Sequence, residues 1–210
     1  AVVVLLVFVR SYVGDTTMVG MAEPGWSLLT AFSGGVLSAF VVLALMPVFE
    51  SVGFVTDYRL MELANLNHPL LRKMIERAPG SYHHSVIVGS LAEAACEAIG
   101  CNALQARVAC YYHDIGKGLG PDYFIENQRG GINRHDSMPP EESAKRIISH
   151  VTEGAKLARK HGLPRPIIDN IYMHHGTGLL QYFYARACAD ASSEPPDENS
   201  YRYPGPKPNT

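Results

Sequence analysis

The chain lacks a strong excess of charge of either sign. Its 210 residues carry 18 Lys and Arg against 20 Asp and Glu, which gives a formal net charge of −2 and a pI near 6.5. A general nucleic-acid-binding protein normally presents a strongly basic face. The charge balance therefore argues against a nucleic-acid polymer as the partner.

Paired cysteine motifs and strand-like patterns are also missing. The four cysteines show no CxxC spacing and no disulfide-rich arrangement, so nothing requires an oxidising compartment. Cys96 and Cys110 lie among apolar helical neighbours, where cysteine packs as a small hydrophobic side chain. The sequence has no internal repeat and no alternation of apolar and polar residues of any length. These absences favour an all-α fold.

Charged residues are absent between Glu23 and Glu50, and residues 28–49 are almost continuously apolar. About 20 such residues suffice to cross a bilayer as a helix. We predict a transmembrane helix over 28–50; the alternative is a buried helix of a soluble protein.

The opening run 1–9, closed by Arg10, resembles the tail of another membrane helix. It has neither a basic leader nor a cleavage site, so it is not a signal peptide. We expect the chain to be a piece of a larger multi-pass protein of the cell (inner) membrane. Arg59, Arg72 and Lys73 lie after the predicted helix and favour a cytoplasmic location for the C-terminal domain.

The rest of the chain is predicted to be helical. Ser81 is predicted as the N-cap of a helix that ends at Ile99, before Gly100. Further helices are expected from near Asn102 into His113, from Pro140 to His161, from Pro166 to Gly176 and from Leu179 to Ala189. The predicted organisation is a membrane tail and loop, a transmembrane helix, a helical linker and a folded domain, over 1–27, 28–50, 51–80 and 81–210.

Histidines and one aspartate recur at positions from which separate helices can bring them together. They are His84, His113, Asp114, His150, His174 and His175. A single imidazole on an apolar face is usually a hydrogen-bonded core residue. Several of them in one small core would be costly to bury unpaired, and a metal satisfies them all. The set therefore predicts a metal site.

Helical phasing gives these side chains a direction. His84 shares a stripe with apolar residues, namely Val88, Leu91, Ala95 and Ala98, so we expect it to point into the core. His83 is turned about 100° away and is expected either at the surface or behind the ligands, in contact with one of them. His150 and the pair His174 and His175 lie on the apolar faces of their own helices.

Asp114 can place one carboxylate oxygen on each of two ions, and two such ions can clamp a phosphoryl group and generate hydroxide at neutral pH. Lys117 lies one turn after His113, either as a solvated cap of a helix end or as a point charge on a substrate phosphate. The polar loop offers residues that either reach the substrate or serve only the loop, namely Glu126, Asn127, Gln128, Arg134 and His135. The sequence thus predicts metal-assisted hydrolysis of a phosphate compound.

These residues form a pattern that resembles the HD superfamily of metal-dependent phosphohydrolases, and more closely its membrane-bound 7TM-HD (PgpH-type) family. The matching stretches are Ala78-Pro79-Gly80-Ser81-Tyr82-His83-His84-Ser85, Tyr112-His113-Asp114-Ile115-Gly116-Lys117, Tyr123-Phe124-Ile125-Glu126-Asn127-Gln128, His150 with Glu153-Gly154, His174-His175-Gly176-Thr177, and Arg202-Tyr203-Pro204-Gly205-Pro206-Lys207-Pro208. The resemblance covers the chain from the last predicted membrane helix to the C-terminus.

The resemblance implies a cytoplasmic helical HD domain that holds two divalent ions, manganese or iron. It implies hydrolysis of cyclic di-AMP to linear pApA through attack by a hydroxide that bridges the ions, with Lys117 stabilising the added charge. By motif, one ion would be bound by His84, His113 and Asp114. The other would be bound by Asp114, His150, His174 and His175.

Two departures from the family pattern qualify these expectations. The family has a further aspartate ligand on a helix after the Tyr-Pro-Gly-Pro segment, whereas this sequence stops at Thr210, so we expect the piece to lack that ligand and its helix. Gly120 stands where the family often carries an arginine. The reaction class is therefore better indicated than the substrate.

Two alternatives remain. Cyclic di-GMP or another nucleotide would be the substrate of a related enzyme, but the Gly-Tyr-Pro signature of HD-GYP domains is replaced here by Gly176-Thr177-Gly178-Leu179. The other alternative is a non-catalytic module that binds metal or nucleotide. It is disfavoured, because such a domain would be expected to lose metal ligands and the set is intact here. The pattern leaves homodimerisation open.

Overall fold

The computed structural model describes residues 23–51, 55–128, 130–131, 133–191 and 194–208. The predicted membrane tail and most of the loop after it lie outside the described residues. By its internal contacts the chain divides into two units, Ala1–Phe54 and Val55–Thr210.

The described part of the first unit, residues 23–51, forms one long helix, α1 (Glu23–Ser51). Its segment Ala31–Phe49 has a mean hydropathy of 2.1, and none of it is buried in the described structure. At 1.5 Å per residue such a segment matches the hydrocarbon thickness of a bilayer. The predicted helix is therefore present and is long and apolar enough to cross a membrane.

The second unit is helical, as predicted. Its α-helices are α2 (Asp57–Leu63), α3 (Pro69–Arg77), α4 (Pro79–Ile99), α5 (Ala103–Tyr112), α6 (Pro140–Lys160), α7 (Arg165–Met173) and α8 (Gln181–Asp190). Short 3-10 segments occupy Ile115–Leu119, Pro121–Tyr123, Ile125–Asn127, Arg134–Ser137 and Glu198–Tyr201. The residues described contain no β-strand, only one isolated antiparallel bridge between Leu179 and Arg202.

Helix ends agree with the sequence signals in most places. The Asn102 side chain accepts from the Gln105 backbone N–H at 2.9 Å and so caps α5, and Gly100 ends α4 with a left-handed φ of 74°. The prediction that Ser81 caps α4 is wrong. The helix begins at Pro79, whose fixed φ suits a first helical position, and this places Ser81 inside the first turn, fully buried.

The main core joins α2 and α3 to α5, α6 and α7. Its buried apolar side chains include Leu60, Leu63, Leu70, Leu71, Met74, Val108, Tyr112, Ala155, Ile167 and Ile171. The Tyr112 hydroxyl donates to the Leu63 carbonyl at 2.9 Å. Helices predicted as part of a linker over 51–80 thus supply a large share of the hydrophobic core.

One glycine sets the distance between two elements that carry predicted ligands. A Cβ atom on Gly116 would lie 1.9 Å from the His150 carbonyl oxygen on α6. Only a residue without a side chain allows the turn after Asp114 to touch α6 so closely. This contact brings Asp114 and His150 to one place.

Candidate metal centre

The six predicted ligands converge from four helices and the turn after one of them. His84 lies on α4, His150 lies on α6, and His113 and His174 form the C-terminal caps of α5 and α7. They form two sets, and within each set the ligand atoms lie within 4.8 Å of one another. We call His84, His113 and Asp114 the aspartate group, and His150, His174 and His175 the histidine group.

Asp114 lies between the two groups and is 2% exposed. Its Oδ2 atom is 3.0 Å from His113 Nε2 and 2.8 Å from Lys117 Nζ. Its Oδ1 atom is 3.3 Å from His150 Nε2 and 3.7 Å from His174 Nε2. Within the described part of the chain Oδ1 has no hydrogen bond of acceptable geometry. A buried carboxylate oxygen of this kind needs a positive partner.

The charge state of Asp114 depends on its neighbours. Burial raises the pKa of this carboxyl, but the imidazoles of His113 and His150 and the ammonium of Lys117 outweigh burial and hold the pKa well below its usual range. Asp114 is therefore an ionised acceptor, as a metal ligand must be.

Three histidines are held in the same orientation by backbone carbonyls. The Nδ1–H groups of His113, His150 and His174 donate to the carbonyls of Cys110, Ile147 and Ile171 at 2.7, 2.5 and 2.8 Å. In His150 and His174 this bond leaves the lone pair of a neutral ring on Nε2, which faces the centre, whereas His113 Nε2 faces Asp114 Oδ2. Metal-binding histidines are commonly fixed in this way.

The histidine group contains an electrostatic conflict that a cation would relieve. His150 Nε2 and His174 Nε2 lie 3.2 Å apart, and with both Nδ1–H groups committed to carbonyls two lone pairs face each other. Burial and the charges of His175 and His113 lower the pKa of His174 to about 3, so a proton is a poor bridge at neutral pH. This donor set and the unpaired Asp114 oxygen fit a divalent metal.

His84 reaches the aspartate group by a different route from the one predicted. The prediction that His84 lies on an apolar core face of α4 is wrong. The buried residues of α4 are Ser81, Ser85 and Gly89, while Leu91 is 67% exposed. Small residues let α4 pack closely on α5, since a Cβ on Gly89 would lie 2.6 Å from the ring of Tyr111. His84 remains exposed beside this contact, with its ring centroid 5.6 Å from that of His113.

His175 is also exposed but has an aromatic support. Its ring stacks on Tyr203, with centroids 4.1 Å apart and planes at 16°. Burial and the charge of His150 lower the pKa of His175 to about 4. Sequence reasoning missed Tyr203 as a site residue, although its place in the Tyr-Pro-Gly-Pro segment was a signal.

Lys117 is not a solvated helix cap. Its side chain is 15% exposed, and its ammonium contacts Asp114 Oδ2 at 2.8 Å and Glu126 Oε1 at 2.9 Å. Burial lowers the pKa of Lys117, but these two carboxylates outweigh burial and raise it. The lysine is therefore charged and held against the candidate metal ligand.

The predicted substrate residues occupy two different environments. Glu126 and Asn127 are hydrogen-bonded to Ser81 within the protein. Arg134 is exposed, forms an ion pair with Asp122 at 2.8 Å and lines an open cavity of about 630 Å³. Asn127 also lines this cavity, so of the three Arg134 and Asn127 have room beside them for a ligand, and Asn127 is in addition bound to Ser81.

The stretch that holds this centre matches a known family. The model of the HD domain family covers residues 81–202, more than half of the chain. The chain therefore belongs to the HD domain family.

Over 183 residues the chain is 50% identical to the cyclic-di-AMP phosphodiesterase PgpH of Listeria monocytogenes, an alignment that covers 86% of this chain and 25% of the relative. It is 47% identical over 195 residues to the protein of that name from Bacillus subtilis, covering 92% of this chain and 27% of the relative. The chain thus spans about a quarter of the length of these curated relatives.

A solved structure of the L. monocytogenes PgpH HD domain in complex with cyclic-di-AMP matches with a TM-score of 0.65 and 52% identity. The match covers 69% of this chain and 66% of that one. The likeness supports the fold.

Proposed function

We propose that this chain carries the catalytic domain of a metal-dependent phosphodiesterase that hydrolyses cyclic di-AMP to linear pApA. The observation that carries the proposal is the convergence of five imidazoles on one buried, ionised carboxylate with an unpaired oxygen. The activity in the names of the relatives supports the substrate.

The proposed cofactor is a pair of divalent ions, manganese or iron. His84, His113 and Asp114 would hold one, and Asp114, His150, His174 and His175 the other. When bound, such ions supply Lewis-acid polarisation of phosphoryl oxygens and activation of water at neutral pH.

The chain's own residues contribute orientation and charge. Backbone carbonyls fix three of the imidazole rings. The Lys117 ammonium adds positive charge beside Asp114, where a phosphodiester would gain negative charge during hydrolysis. We propose that Arg134 contacts a substrate phosphate from the cavity that it lines.

We further propose that the protein is a multi-pass membrane protein with its HD domain in the cytoplasm. The apolar helix α1 supports membrane insertion. Arg59, Arg72 and Lys73 beyond it support the orientation, because positive residues near a membrane helix favour the cytoplasmic side.

The test is hydrolysis by the 210-residue chain in detergent with Mn²⁺, with products separated by ion-exchange chromatography. We expect conversion of cyclic di-AMP to pApA, and loss of this conversion in His113→Ala. Protein that binds metal yet is inert on every cyclic dinucleotide would end the enzyme proposal in favour of a non-catalytic module. A preference for cyclic di-GMP would overturn the substrate but keep the chemistry.

A further inference from the structure

The loop after Lys117 is tied to the first turn of α4 by a closed set of hydrogen bonds. The Ser81 hydroxyl donates to Glu126 Oε1 at 2.8 Å, and Asn127 Nδ2 donates to Ser81 Oγ at 2.8 Å. The Ser81 backbone N–H donates to Asn127 Oδ1 at 3.1 Å. We call Ser81, Glu126 and Asn127 the loop clamp.

The clamp replaces a local helix cap. The first backbone N–H groups of a helix have no partner within it, and in the described structure the N-cap residue of α4, Ala78, gives no side-chain hydrogen bond. Asn127 supplies the missing acceptor from 46 residues away. The start of α4 is therefore positioned by the loop rather than by its own sequence.

The contact is close, and its serine is fully buried. A Cβ on Gly80 would lie 1.9 Å from the Glu126 carbonyl oxygen, and Ser81 is 0% exposed. Hydrogen bonds to a buried group are electrostatically stronger than those in water.

Glu126 extends the clamp to the candidate metal centre. Its Oε1 atom also accepts from Lys117 Nζ at 2.9 Å, and Lys117 contacts Asp114 Oδ2 at 2.8 Å. His84 lies one helical turn after Ser81 on α4. The clamp thus links the two members of the aspartate group that come from different elements, His84 and Asp114.

A direct substrate contact suits Glu126 poorly. Its Oε1 already accepts from Ser81 and Lys117. Burial raises the pKa of its carboxyl, but the contacts with Lys117 and Ser81 outweigh burial and lower it. A carboxylate in this state would repel a phosphodiester.

We propose that Glu126 and Asn127 are positioning residues, which act through Ser81 and Lys117 to hold His84 at the correct distance from Asp114. They set the affinity of the aspartate group for its ion, and they affect the ion of the histidine group less, because none of that group's three histidines is hydrogen-bonded to the clamp in the described structure. The inference rests on the metal binding proposed above and differs from the substrate contact expected from the sequence.

The experiment compares two buried serines on the same face of α4. Ser81→Ala removes a clamp hydroxyl, whereas Ser85→Ala removes a hydroxyl that has no hydrogen-bond partner among the described residues. Mn²⁺ binding to the 210-residue chain is measured by calorimetry for both, and for Asn127→Ala and Glu126→Ala. We expect one of two ions to bind about 10- to 100-fold more weakly in the clamp variants. This is the usual effect of changing a residue that positions a metal ligand without binding the metal itself. Ser85→Ala should bind both ions as wild type does.

Enzyme kinetics provide a second readout that a purely structural role would not move. In Asn127→Ala we expect a lower kcat at limiting Mn²⁺ that recovers with excess Mn²⁺, at an unchanged KM for cyclic di-AMP. A raised KM with unchanged Mn²⁺ affinity would assign Asn127 to the substrate and overturn the proposal. Equal weakening of both ions, or unchanged affinity for both, would also overturn it.

The two proposals fail separately. Wild-type protein that binds two ions but is inert on cyclic dinucleotides ends the proposed activity, while the clamp is still judged on Mn²⁺ binding alone. Wild-type protein that binds no metal overturns both.

Discussion

The two halves of the candidate centre differ in how they balance charge. In the aspartate group, the carboxylate of Asp114 already contacts an imidazole and an ammonium, at 3.0 and 2.8 Å. In the histidine group, two Nε2 lone pairs face each other at 3.2 Å. The first group is compensated from within the protein, whereas the second depends on a cation from outside.

Ligands of one centre can therefore bind protons very differently. Burial lowers the pKa of His113, but its hydrogen bond with Asp114, that carboxylate's charge and the Cys110 carbonyl outweigh burial and raise it. In the histidine group the pKa of His174 falls to about 3 and that of His175 to about 4. Protons should thus compete with metal mainly in the aspartate group.

The largest expected effect comes from the residue that the two groups share. Asp114→Asn keeps the size of the side chain but removes its charge, and it leaves Lys117 beside an uncharged amide. We expect loss of both ions, with affinity at least about 100-fold lower, and loss of hydrolysis. Metal content by plasma mass spectrometry checks this, and full retention of one ion would show that Asp114 is not shared.

Acidification should separate the groups. A raised pKa means that His113 takes up a proton before an ordinary histidine does as pH falls, whereas His174 and His175 stay neutral to about pH 4. As the pH falls from neutral to about pH 5 we expect release of the ion of the aspartate group and retention of the other. Equilibrium dialysis with Mn²⁺ at each pH measures this. Simultaneous release of both ions would remove the distinction between the groups.

The smallest expected effect comes from a substitution at Tyr203, which contacts the histidine group. Tyr203→Ala removes the ring that stacks on His175, at a cost of about 0.5–1.5 kcal/mol for an aromatic pair. We expect about 2- to 10-fold weaker binding of the ion held by the histidine group, and no change for the other ion. Tyr203→Phe keeps the ring and should bind both ions as wild type does. Weaker binding of the ion of the aspartate group in Tyr203→Ala would contradict the assignment of Tyr203 to the histidine group.

Part of this structure could be predicted from residue types and local signals. The helix over Pro140–Lys160, the Asn102 cap and the all-α class could be inferred from proline, capping and periodicity. The six predicted ligand residues could be inferred from their chemistry, and the structure brings them together.

The remainder depends on close approach between distant segments. The buried face of α4 is made of Ser81, Ser85 and Gly89, which an apolar stripe does not reveal because small residues are buried for their lack of bulk. The pairing of Glu126 with Ser81 joins residues 45 positions apart. Local sequence carries no signal of that distance.

Gly116 shows how a residue can set the spacing of candidate metal ligands although it is not one of them. The distance between Asp114 Oδ1 and His150 Nε2 is limited by how near the turn can come to α6, and the Gly116 backbone makes that contact. One added methyl group would push the two elements apart and enlarge the space between the ligands. The spacing of these two candidate ligands is therefore encoded partly in a missing side chain.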